Sequence, residues 1–115
     1  MFREKVLIMR LKLRYYEELY LGESIDAQKL EKIKKKLETR PLFSGIFVIS
    51  ISRNPSDQLD IYEAKQLVQR YYQKNPPYII GITKSKEEAI AIVQQIVEEC
   101  MDARGDCSLK EYLKC

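Results

Sequence analysis

Where a buried strand feeds a helix, the free backbone N–H groups and the helix dipole favour an anion, and Ile80-Gly-Ile-Thr-Lys-Ser-Lys86 is such a junction. Thr83, Lys84, Ser85 and Lys86 would add hydroxyls and positive charge around a bound phosphate or carboxylate. The junction has one glycine and no glycine-rich phosphate-binding spacing. Ser85 also has a structural role open to it, so a small anion ligand or enzyme site here stands as an alternative, not as the leading reading.

A second candidate is the basic N-terminal third. Lys29, Lys32, Lys35 and Lys36, with Arg10 and Arg14 and the nearby Tyr15, Tyr16 and Tyr20, give the mixture of cations and stacking rings used at nucleic-acid sites. Residues 1–40 hold eleven Lys and Arg against seven Asp and Glu, a balance of +4, whereas residues 41–115 hold nine against ten, a balance of −1. An electrostatic partner should therefore approach the N-terminal third. No recognition-helix or RNA-binding motif accompanies the charge, and a solvated helix face explains it as well, so nucleic-acid binding is retained only as an alternative.

Eight tyrosines in a chain without tryptophan, with Tyr71-Tyr72 just before Gln73-Lys-Asn-Pro-Pro77, suit a protein partner or self-association, because rings with a polar tip are favoured at interfaces. Asp57, Asp60 and Glu63 lie close in sequence, yet Leu59 and Ile61 between them fit a half-buried strand better than a divalent-cation site. Histidine is absent, which removes Ser-His and Cys-His hydrolysis and the commonest zinc ligand. Cys100, Cys107 and Cys115 are odd in number and do not follow the paired spacing of zinc sites, so free thiols are expected. No cofactor or metal is expected, and no nucleophile stands beside a base.

These residues must be positioned by a chain of 115 residues, 45% hydrophobic and 32% charged, which suits one globular domain with a single core. No run of about 18 apolar residues is present and Arg10, Lys12 and Arg14 interrupt any leader-like segment, so the expected location is the cytoplasm with no membrane partner. Ile46-Phe-Val-Ile-Ser-Ile51 and Tyr78-Ile-Ile-Gly-Ile82 are apolar on both faces, as in strands covered on two sides. The expected fold is α/β, in two or three layers, with a three-stranded sheet near 44–52, 58–62 and 78–83.

Residues 3–21 fit two templates. Phe2, Val6, Met9, Leu13, Tyr16 and Tyr20 make a helical stripe, while Leu7, Met9, Leu11, Leu13 and Tyr15 alternate with Ile8, Arg10, Lys12 and Arg14 as in a strand. Good helix formers running unbroken to Gly22 favour helix, and with a second helix from Ser24 or Asp26 to about Thr39 this predicts an N-terminal helical hairpin over 1–40, packed on the 41–115 unit. A helix over 64–74 follows from Ala64, Leu67, Val68 and Tyr71, and Ser85-Lys-Glu-Glu88 reads as a capping box opening a helix over 86–102. The reading that results is a small protein-interaction or regulatory module of unidentified partner, with the nucleic-acid and anion sites as alternatives.

Overall fold

The computed structural model describes residues 11–113. The elements are β1 (Arg14–Leu21), α1 (Leu30–Thr39), β2 (Phe47–Ile51), β3 (Leu59–Glu63), α2 (Arg70–Lys74), β4 (Tyr78–Thr83), α3 (Lys86–Arg104) and α4 (Leu109–Leu113), with 3-10 turns at Ala27–Lys29, Pro41–Phe43 and Ala64–Val68. Four strands form one sheet in the order β1-β4-β2-β3. β1 runs parallel to β4, and β2 runs antiparallel to both β4 and β3.

The expected three-stranded sheet and N-terminal helical hairpin are therefore corrected. Residues 14–21 form a strand that pairs with β4 through Arg14↔Tyr78, Tyr15↔Ile79, Tyr20↔Gly81 and Leu21↔Ile82. The cause is tertiary. β4 is buried on both faces, so its backbone groups need a partner strand along each edge; β2 supplies one and β1 the other. The alternating template then outweighs helix propensity, because Tyr15, Leu19 and Leu21 pack on one face of the sheet while Tyr16 and Tyr20 pack on the other. The helical stripe residues Phe2, Val6 and Met9 lie outside the described residues.

Helices cover both faces, giving three layers. On one side Leu37 of α1, with Leu30 and Ile33 beside it, packs on Val48, Ile79 and Ile82 together with Ala64 and Leu67. On the other, Ala89, Ile92, Ile96 and Cys100 of α3 and Leu109 and Leu113 of α4 close over Ile49 and Ile80. Tyrosines of β1 bind a helix on each face. Tyr15 donates to Glu38 of α1 at 2.9 Å, and Tyr20 donates to Glu99 of α3 at 2.6 Å. Burial, reinforced by those carboxylates, pushes both phenols well above the usual tyrosine range, and the Tyr20 hydroxyl holds Glu99 below the usual carboxylate range.

The expected helix over 64–74 is broken. Ala64–Val68 is a 3-10 turn and Gln69 is extended at φ −66°, ψ 143°, after which α2 restarts at Arg70. Three residues per turn place Ala64 and Leu67 above one another, and both are fully buried, so the tighter helix serves the core. The remaining elements follow the expected pattern: β4 spans Tyr78–Thr83, and α3 runs from the Ser85 cap to Gly105, which stops it in the left-handed region at φ 79°. The neighbouring strands β2 and β4 are antiparallel, so the handedness rule for parallel crossovers does not govern them. No helix among the described residues is long and apolar enough to cross a membrane.

Candidate functional site

The sheet has two ends with opposite characters. At the carboxyl end of β4 the junction 81–86 is closed by the chain itself. Thr83 is fully buried and donates its hydroxyl to the Ser85 carbonyl at 2.7 Å. Ser85 is the N-cap of α3, its hydroxyl accepting from the Glu88 N–H at 3.1 Å. The Glu88 carboxylate turns back over the helix start, accepting from the Lys84 N–H at 3.3 Å and from the Ser24 hydroxyl. The capping box is thus completed at Lys84 instead of Ser85, and Asp26, not Ser24, caps the turn leading into α1 through the Gln28 N–H at 2.9 Å.

Gly22 closes the junction from the β1 side. A Cβ at this position would collide with Glu88 Oε1 and stand 3.1 Å from Thr83 Cβ, so any larger residue here pushes the Glu88 carboxylate out of its present place. The Ser24 hydroxyl, first among its partners, holds the Glu88 carboxyl below the usual range. Lys84 and Lys86 remain exposed around a helix start that already holds an internal carboxylate. Ser85→Ala is expected to lower stability by about 0.5–2 kcal/mol, read as a lower denaturation midpoint with unchanged slope.

Of the described basic candidates, the four lysines lie on or just before α1 and Arg14 stands apart from them. Lys29, Lys32, Lys35 and Lys36 are exposed along or just before α1, while Lys34 lies over the Tyr15 ring at 4.7 Å. Arg14 lies over the Tyr78 ring at 4.5 Å, and Tyr78 packs with the α3 side of the sheet, opposite to α1. Arg10 and Cys115 lie outside the described residues. Among the described residues no group of three or more metal-ligating side chains forms; Asp57 instead accepts from the Asn54 amide at 3.1 Å, and Glu63 pairs with Lys65 at 3.7 Å.

The opposite end of the sheet, where β2 finishes and β1, β3 and β4 begin, opens into a cleft of about 500 Å³. Its rim is built from turns that fix themselves. Asn54 organises the β2–β3 connection: its side-chain oxygen accepts from the Ser56 N–H at 2.9 Å and its carbonyl from the Asp57 N–H at 3.0 Å. Pro76 and Pro77 form the facing wall, with φ set by their rings. Arg53 crosses to that wall and donates to the Pro76 carbonyl at 3.1 Å, and Lys110 of α4 reaches the Asn54 carbonyl at 3.4 Å. α4 is seated by the buried Leu109 and Leu113 and by the Leu109 N–H donating to Gln58 at 2.6 Å.

Aromatic rings line the rest of the cleft. Tyr71 stands nearly perpendicular to Tyr72, centroids 5.1 Å apart, and is 51% exposed. Tyr72 leans on Tyr62 at 5.4 Å, whose hydroxyl donates to Ser50 at 3.3 Å. Burial first, with the Asp60 carboxylate also contributing, raises the Tyr62 and Tyr72 phenols. The arrangement offers a stacking surface and three cations, Arg14, Arg53 and Lys110, in one open site.

Sequence reasoning singled out Tyr71 and Tyr72 as interface residues and Arg14 as a cation, but did not join them to Arg53, Asn54, Tyr78 or Lys110. Two local signals point there: the turn cluster Arg53-Asn-Pro-Ser-Asp57 and the Asn75-Pro-Pro77 stop. Nothing local says that the two turns face each other across a sheet end. No family model, curated protein or solved structure matches the chain.

Proposed function

We propose that the protein is a small single-domain, cytoplasmic interaction module that takes a segment of a partner protein into the cleft at the amino ends of β1 and β4. The observation that supports this reading is Tyr71, a large ring left 51% exposed beside rigid proline and asparagine turns and three cations. Exposed aromatic anchors next to arginine are the commonest carriers of binding energy at protein interfaces. Rigid walls lower the ordering cost of association, which favours recognition of a segment over loose surface contact. The self-sealed junction at 81–86 supports the same choice between the two ends of the sheet, since Glu88 already occupies the helix start.

The test compares three baits in affinity capture from native cytosol: the unaltered chain, Tyr71→Ala, and Lys32→Gln/Lys35→Gln/Lys36→Gln. A genuine cleft partner is retained by the first and third and lost by the second, with all three baits melting at similar temperatures because the altered side chains are exposed. A partner, or a nucleic acid, lost only with the lysine triple variant would move the site to α1 and reject the cleft.

A further inference from the structure

We infer that the cleft recognises its partner segment through an anionic group, a phosphate or a carboxylate carried beside a planar ring, held by Arg14, Arg53 and Lys110. The inference rests on the interaction reading and adds the chemistry of the bound group. The three cations come from positions far apart in the chain: the start of β1, the β2–β3 turn and α4. Each is held in place by something other than a carboxylate. Arg14 lies over the Tyr78 ring, Arg53 donates to the Pro76 carbonyl, and Lys110 reaches the Asn54 carbonyl.

A guanidinium stacked on a ring keeps its in-plane N–H groups free at the edge, and Arg53 has donors left after the Pro76 contact. Two carboxylates also line the cleft, yet among the described residues neither forms an ion pair with these cations. Asp57 accepts from the Asn54 amide, and Asp60 lies in β3 opposite Ser50. Among the described residues no ion pair ties these cations down, and three cations against Asp57 and Asp60 leave the lining a balance of +1, complementary to an anion that can accept several charge-assisted hydrogen bonds at once. Tyr71, exposed at the same site, supplies a face for the planar part of the ligand.

Chemical-shift titration of the full chain provides the test, with phenyl phosphate, phenylacetate and inorganic phosphate as probes. Phenyl phosphate is expected to shift the amides of Arg53, Asn54 and Tyr78, and to bind about tenfold more weakly to Arg53→Gln/Lys110→Gln, as loss of a charge-assisted contact predicts. Inorganic phosphate, lacking the ring, should bind more weakly than phenyl phosphate, and Tyr71→Ala should erase that difference. A stronger response to phenyl phosphate than to phenylacetate assigns a phosphate-bearing segment; the reverse assigns an acidic one.

Shifts that survive Arg53→Gln/Lys110→Gln, or that centre on Lys84 to Glu88, overturn the inference. So does a single-stranded oligonucleotide that binds through the α1 lysines while the cleft ignores all three probes. If Tyr71→Ala abolishes partner capture but no probe reaches the cleft, the anion fails and the interaction reading stands. If capture is also unaffected, both fall.

Discussion

Ile80→Ala is expected to lower the free energy of unfolding by about 2–5 kcal/mol, and Ile79→Ala by a similar amount, although the two side chains are neighbours in one strand and touch different cores. Successive strand residues point to opposite faces. Ile79 enters the cluster beneath α1 with Leu37 and Val48, and Ile80 enters the cluster beneath α3 with Ile92 and Ile96. Both have 0% exposure, so each truncation removes buried methyl groups and leaves a cavity that the close-packed surroundings fill only in part. Ile90→Ala, on the outer face of α3 at 43% exposure, should stay within about 0.5 kcal/mol. Chemical denaturation of the three variants decides the matter, and a near-neutral result at either Ile79 or Ile80 would mean that one face of β4 is not covered.

That pair of outcomes tests the feature most legible in the sequence. A run apolar on both faces can be satisfied only inside a covered sheet, and this requirement is local enough to read from six residues. The Ser85 cap is equally local, because an N-cap and the N–H three positions on lie within one turn, whereas the reciprocal half of the expected capping box moves to the Lys84 N–H. Residues 14–21 show the opposite situation. Their sequence fits a helix and a strand, and the choice is made by an unpaired edge of β4 more than fifty positions away in the chain. The break at Gln69 has the same origin, since the demand that Ala64 and Leu67 both reach the core comes from the sheet and not from the helix.

The two ends of the sheet extend this argument to the candidate site. The junction at 81–86 looks open when read alone, because its closing groups, Gly22 and Ser24, belong to a segment some sixty residues earlier. The cleft is invisible for the complementary reason. Arg14, Arg53, Tyr71 and Lys110 have no shared motif, and only the pairing of β1 with β4 and the seating of α4 against Gln58 bring them together. Chemistry that depends on long-range pairing leaves no spacing for a sequence reading to find.

Gly81→Ala is expected to cost about 1–3 kcal/mol, through crowding at the centre of the sheet and not through any left-handed backbone requirement. Gly81 sits opposite Ile49 of β2 on one side and Tyr20 of β1 on the other. A Cβ here would stand 3.0 Å from Ile49 Cδ1 and 3.3 Å from the Tyr20 carbonyl oxygen. The first contact is to the end of a side chain and the second is to backbone, so they should separate in a double-mutant cycle. Ile49→Val removes the terminal methyl and alone should cost about 0.5–1.5 kcal/mol. Combined with Gly81→Ala it should cost less than the sum of the two singles, because the new methyl occupies space the isoleucine has vacated. The residual penalty belongs to the Tyr20 carbonyl, which can retreat only by loosening β1 from β4. Strict additivity in denaturation experiments would show that Ile49 is not what crowds Gly81, and would place the whole cost on the β1–β4 pairing that the sequence alone does not predict.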